Sequence, residues 1–297
     1  MKDKAILSHS LLLLAAVVWG FAFVAQRSGM EHIGPLLFNG IRFILGGLLL
    51  IPVYLFFFRN KERTSGERIS PLFLWPGLIL FTASFLQQKG LVYTTAGNAG
   101  FITAVYMVIV PVFGIFIGHK IPWIIWVAVP VSLAGSFLVS ITGTLSVSEG
   151  DAWVFGSAFF WAGHVLVINW LVQKYNAVLL ALSQFLICGT FSLLLAFIWE
   201  PVEWSSIYAA GLPLLYGGIM SVGLAFTLQV IGQKHAHPSV ASVLLSSESL
   251  FAVIGGWAIL EEQMSPQQVL GCFLIFAAIL FIQLFQNRKT KKQYVEI

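Results

Sequence analysis

Three ionisable side chains interrupt stretches that are otherwise apolar: Arg42, His164 and Glu248. Each sits where a residue in hydrocarbon would cost about 2.5–3.5 kcal/mol on insertion scales, so each is a candidate for function. A carboxylate such as Glu248 suits binding of a cationic group or exchange of a proton. A guanidinium such as Arg42 suits an anion or backbone carbonyls at a helix contact. His164 titrates near neutral pH when unperturbed and suits proton coupling, although a lone buried histidine also serves as a hydrogen-bonded strut. Lys89 lies close enough to a helix end to snorkel.

Around Glu248 the stretch "LLSSESLFAV" repeats serine at helical spacing, with Ser242, Ser246 and Ser249 at i, i+4 and i+7. Such a stripe lines a wetted wall or allows close helix packing. With a carboxylate beside it, the expectation is a cavity wall. Gln87, Gln88 and Gln229 add amides in other apolar runs, where glutamine also bonds between helices. Asn98 and Tyr106 share a helix face at eight-residue spacing, and Trp19 and Trp161 lie far from the interfacial belts that tryptophan favours.

The elements that must hold these groups are membrane helices. The chain of 297 residues is 58% hydrophobic and 9% charged, with mean hydropathy +0.90. Soluble domains carry about 25% charged residues. About 20 apolar residues cross the hydrocarbon core. That ruler gives ten spans: 7–26, 34–57, 72–92, 96–117, 121–142, 152–173, 177–199, 207–232, 239–260 and 264–286. The first run is too long for a signal peptide and no small-residue cleavage site follows it. The net charge of +4 sits in short loops and the C-terminal tail. It forms no basic face, so no nucleic-acid partner is expected. Cys188 and Cys272 fit neither a disulfide nor a metal cluster.

Charge orients the bundle. With the N-terminus in the cytoplasm, 13 of the 16 lysines and arginines fall on the cytoplasmic side, Arg27 and Lys89 fall outside, and Arg42 lies within a span. Both termini are expected in the cytoplasm, in a multi-pass protein of the cytoplasmic membrane.

Shifted by 142 residues, the sequence matches itself without a gap. Trp19 meets Trp161, Phe43 meets Phe185, Gly47 meets Gly189, Gln87 meets Gln229, and Gly90 meets Gly232. The shift also pairs Tyr106 with Glu248. Each half holds five spans, an odd number, so the halves must enter the membrane with opposite orientation. The fold class expected is all-α integral membrane, ten transmembrane helices built as two inverted five-helix repeats. Their bounds are 5–143 and 148–286, followed by a basic cytoplasmic tail, 287–297. Inverted repeats with a site at their interface are typical of secondary transporters.

Several stretches carry a family resemblance: "WGFAFVAQ", "NGIRFILGGLLL", "GLVYTTAGNAGFITAVYMVIVPVF" and "LLSSESLFAVIGGWAILEEQMSP". In order and spacing they resemble EamA-type transporters of the drug/metabolite transporter superfamily, across nearly the whole chain. The resemblance implies a central cavity lined by spans one, three, four, six, eight and nine. It also implies export of an amino acid or related amphipathic metabolite, or efflux of drugs and toxic compounds by the same fold. Members often carry Gly-Glu at the end of span four. Here that place reads "GHKIP", with Lys120 aligned to Glu262.

The expected partners are a small-molecule substrate and membrane lipid, with proton coupling left open. An intramembrane enzyme is the rival reading from another class. The spans hold no HExxH, no GxSxG and no acidic pair. No catalytic residue, metal or cofactor is therefore expected. A sensor would usually carry a soluble output domain, which the short loops leave no room for. Arg42 and Glu248 come out at similar depth, ~12 Å below one boundary and ~13 Å above the other at 1.5 Å per residue. Arg42 is read as a tie to backbone carbonyls, because span two is not among the family's cavity helices.

Overall fold

The computed structural model describes residues 2–57, 70–140, 148–260 and 264–295. Glu261, Glu262, most of the loop 59–70 and the repeat boundary at 143 lie outside the described residues, as do the side chains of the tail. The helices are α1 (Lys2–Gly29), α2 (Pro35–Phe57), α3 (Leu74–Leu91), α4 (Ala96–Ala104), α5 (Tyr106–Phe116), α6 (Trp123–Ser140), α7 (Glu149–Leu171) and α8 (Ala177–Trp199). They continue with α9 (Trp204–Ala209), α10 (Gly211–Leu215), a π-helical segment (Tyr216–Phe226), α11 (Thr227–Gln233), α12 (Pro238–Leu245), α13 (Glu248–Leu260) and α14 (Pro266–Val295).

Among the described residues, eight helical stretches are long and apolar enough to cross a membrane, and Pro238–Ile254 is a shorter apolar helix. α3, which covers the expected span 72–92, is less apolar. Gln87, Gln88 and Lys89 crowd its last turns.

The ends of these helices follow from local chemistry. Ser148 and Asp151 form a reciprocal capping box on α7, which satisfies amides with no intrahelical partner. Asn176 accepts from the amides of Val178 and Leu179 at the start of α8. At the start of α12, His237 Nδ1 accepts from Ser239 N at 3.2 Å. Burial, together with the neighbouring His119, holds the His237 imidazole below its ordinary range. It is therefore a neutral cap at neutral pH.

Packing repeats under the shift of 142. Gly47 lies against Leu186, and its counterpart Gly189 lies against Ile44. Gly90 lies against Val154 and the Gly150 carbonyl, while Gly232 lies against Leu12 and the Ser8 carbonyl. Every residue in the second half of each statement is 142 positions from its counterpart in the first. Small residues let backbones approach where lipid provides no hydrophobic drive between helices. Gly40 meets Leu193 while Gly47 meets Leu186. α2 and α8 therefore run antiparallel. The rings of the counterparts Phe43 and Phe185 meet between them, 6.2 Å apart.

Two breaks in the helices obey the same shift. α4 ends and α5 begins around Val105, and α12 ends and α13 begins around Ser246 and Ser247. Val105 N bonds Ile102 O and Val108 N bonds Val105 O. Ser247 N bonds Leu244 O and Leu250 N bonds Ser247 O. The sequences that make the two breaks differ. In the first half Pro111 removes the amide that would bond Met107. In the second, Ser246, Ser247 and Ser249 turn their hydroxyls back onto the carbonyls three residues earlier, a contact that bends helices.

Candidate functional site

The two breaks put Tyr106 and Glu248 at equivalent places, each the first residue of the helix after its break. Both line one cavity, whose non-protein space is about 510 Å³ with open solvent included. Trp19, Phe23 and Gln26 come from α1, Arg42 from α2 and Gln87 from α3. Thr103 and Tyr106 flank the first break, and Leu245 and Glu248 the second. Trp161, Val165, Ser221, Phe226 and Gln229 complete the lining. The walls are aromatic with scattered amides and two ionisable side chains, Arg42 and Glu248, the usual make-up of a small-molecule site.

Glu248 is 5% exposed, and among the described residues nothing bonds its carboxylate. The backbone beside it is held hard against α1. A methyl group built on Gly20 would lie 2.7 Å from the Glu248 carbonyl oxygen and 2.8 Å from Ala252 N. Arg42 is 2% exposed. Its Nε donates to Asn39 Oδ1 at 2.9 Å, and the rings of Phe38 and Phe43 lie 5.5 and 5.0 Å from its guanidinium carbon. No ion pair joins Arg42 and Glu248.

Phe226 is the hub of the aromatic wall. Its ring lies 4.6 Å from Trp19 and 5.9 Å from Trp161, the latter nearly stacked. The π-helical segment that ends at Phe226 is pinned to α1 by Trp19 Nε1 donating to Ser221 O at 3.2 Å and by Tyr216 Oη donating to Val18 O at 2.8 Å. π-Helical turns expose carbonyls that an α-helix consumes, and they recur at functional sites. The equivalent stretch of α3 is regular α-helix. Accordingly the indole of Trp161, the counterpart of Trp19, has no partner.

Of the residues singled out in the sequence, Trp19, Gln87, Tyr106, Trp161, Gln229 and Glu248 line this cavity. Six other expected residues do not. Gln88 Nε2 donates to Gln26 O at 3.2 Å and ties α3 to α1. His164 Nε2 meets Gln184 Oε1 at 2.7 Å, a strut between α7 and α8. Asn98 lies half-buried in the first turn of α4. Ser242 bonds back to Ser239 O. Ser246 meets Met107 Sδ at 3.4 Å and Ser249 meets Ser136 at 3.1 Å. The serine stripe is therefore a packing seam. The periodicity behind the cavity-wall expectation assumed one continuous helix, and the break before Glu248 turns that residue away from the serines.

Arg42 is the opposite correction. It reaches the cavity and bonds a side-chain amide, where a tie to backbone carbonyls was expected. Phe23, Gln26, Thr103, Val165, Ser221, Phe226 and Leu245 were missed. Four of them were within reach of the repeat, since Thr103 and Leu245 are counterparts flanking equivalent breaks and Phe23 and Val165 are counterparts in α1 and α7.

The chain is a helical multi-pass membrane protein with a cavity lined by residues from both of its halves. The comparisons name the family. The model described as "EamA-like transporter family" matches residues 6–141 and 148–284, and the chain belongs to that family. An "Uncharacterized transporter" of Archaeoglobus fulgidus is 28% identical over 92% of this chain and 84% of its own length. "Uncharacterized transporter YoaV" of Bacillus subtilis is 25% identical over 94% and 97%. "Uncharacterized inner membrane transporter YedA" of Escherichia coli is 23% identical over 90% and 88%. A solved crystal structure superposes with TM-score 0.78 at 18% identity, covering 95% of this chain and 98% of that one. It shares the fold.

Proposed function

We propose that the protein is a secondary transporter that exports a small amphipathic metabolite, an amino acid or a relative of one, across the cytoplasmic membrane by alternating access. One observation carries this reading. An unbonded carboxylate, Glu248, faces a cavity built from both halves of the chain. An ionisable group buried in a membrane protein and left without a protein partner is a candidate for a substrate or ion pathway. Export follows from the family resemblance. The charged walls favour solutes with polar ends over wholly apolar drugs. The same reading takes ten spans, two inverted repeats bounded at 5–143 and 148–286, a tail at 287–297, and both termini in the cytoplasm.

Under that topology the cavity opens outward. Counterpart positions in α4 and α12 differ in burial. Gly97 is exposed, and Asn98, Phe101 and Ile102 are half-buried. Their counterparts Ser239, Val240, Val243 and Leu244 are all buried. The closed end is the one where the rings of His119 and His237 meet at 6.1 Å. Two arrangements of one repeat sequence within a single molecule supply the asymmetry that alternating access needs.

Cysteine accessibility tests this in a background lacking Cys188 and Cys272. Asn98→Cys and Thr103→Cys are expected to react with a membrane-impermeant thiol reagent added outside intact cells. Val240→Cys, Ser242→Cys and Ser246→Cys are expected to resist it. Reaction at Val240→Cys with protection at Asn98→Cys would reverse the proposed sidedness.

A further inference from the structure

We infer that Arg42 is the anion-recognising residue of the cavity, so that the solute carries a carboxylate at one end and a cationic group at the other. This rests on the transport reading and narrows it. Arg42 lacks protein partners for most of its donors. Guanidinium has five N–H donors in a rigid fork and stays charged in proteins. Asn39 Oδ1 takes the donor on Nε. Phe38 and Phe43 cover its faces, which draws on cation–π attraction. Among the described residues nothing bonds either Nη group, and the residue is 2% exposed. Arg42 lines the cavity.

Elsewhere in a membrane protein such a cation pairs with a carboxylate of the chain. Here the carboxylate lining the same cavity is Glu248, and it forms no ion pair with Arg42. What keeps them separate is the way each is fixed. Asn39 and the two rings clamp Arg42, and the tight contact of α13 with Gly20 fixes the backbone of Glu248. A solute bearing only a cation would complete Glu248 and leave Arg42 bare. An inorganic anion would do the reverse. A zwitterion completes both, and a carboxylate matches the guanidinium fork in a planar, two-bond contact. The rings of Trp19, Trp161 and Phe226 line the same cavity and supply an apolar wall for its side chain.

The test uses the full chain in proteoliposomes. They are loaded with an equimolar mixture of proteinogenic amino acids, the matching primary amides and the matching N-acetyl acids, and efflux is read by mass spectrometry. A charge-assisted hydrogen bond is worth about 1.5–3 kcal/mol, and about 1.4 kcal/mol is tenfold. At least one amino acid should therefore leave at least about tenfold faster than its own amide. Arg42→Gln should bring that ratio down to about one, and Arg42→Lys, which keeps the charge and loses the fork, should lower it in part. Size-exclusion profiles confirm that each variant is folded. If Arg42→Gln does not fold, the Lys variant decides alone, and an undiminished ratio there overturns the proposal. Equal efflux of acids and amides through the wild type also overturns it, as does a ratio that survives Arg42→Gln. Chloride-dependent efflux with no carboxylate preference would assign Arg42 to an inorganic anion, and that too overturns the proposal. Efflux without carboxylate preference defeats this inference alone. Efflux of no member defeats the transport reading with it.

Discussion

Glu248→Gln is expected to weaken binding of solutes with a cationic end by at least about thirtyfold, taking the 2–5 kcal/mol cost of removing one partner of a buried charge pair. The amide keeps the size of the carboxylate and cannot ionise. Solutes lacking a positive group are expected to lose far less. Because nothing in the described chain bonds the Glu248 carboxylate, the substitution breaks no internal contact, and expression and thermal stability should hold near wild type. Binding to the purified protein, followed by tryptophan fluorescence of the aromatic wall, measures the ratio. Loss of stability with unchanged binding would recast Glu248 as a structural carboxylate. If Glu248 instead carries a coupling proton, the glutamine variant should lose pH-driven accumulation while still exchanging solute.

Gly20→Leu is expected to have the second large effect. Even a methyl group there lies 2.7 Å from the Glu248 carbonyl oxygen and from Phe251 Cβ, and 2.8 Å from Ala252 N. Two of those atoms are backbone and do not rotate away. Overpacking of this kind costs about 1–3 kcal/mol. At about 2–4 °C per kcal/mol, the melting midpoint should fall by roughly 2–12 °C. Forcing α1 from α13 also moves Trp19, Phe23 and Gln26, which α1 contributes to the cavity, so the surviving protein should transport poorly. At Gly163, where a methyl group would meet nothing within 4 Å, the alanine variant is the control and should behave as wild type. Equal melting points for Gly20→Leu and wild type would mean that α1 and α13 are not held together as described.

Much of this arrangement was legible in the sequence. The shift of 142 residues reappears in the glycine contacts of Gly47 and Gly189 and of Gly90 and Gly232. It also put Tyr106 opposite Glu248, which is where the cavity finds them. Of the residues singled out in the sequence, one carboxyl and two amides (Glu248, Gln87 and Gln229) and three aromatics (Trp19, Tyr106 and Trp161) lie on the cavity wall. The misses share a cause. Helical periodicity assumes an unbroken helix, and the segments nearest the cavity are irregular. The break at Ser246 and Ser247 moved Ser242, Ser246 and Ser249 off the wall. The π-helical turn before Phe226 brought Ser221 and Phe226 onto it. A serine-rich stretch reads the same whether its hydroxyls face water or bond back to their own helix. For Arg42 the error came from assigning it by its span. Its depth, level with Glu248, was the better guide.

The central claim is that solute passes, chemically unchanged, through the cavity that Glu248 lines. Efflux through a protein with a single cysteine, Thr103→Cys, tests it most directly. Proteoliposomes are loaded with the amino-acid mixture and sampled before and after complete modification by a bulky charged thiol reagent. The account predicts that at least one amino acid leaves intact before modification and that its efflux then stops. Undiminished efflux from fully modified protein would place the path elsewhere, and a chemically altered product would contradict transport itself.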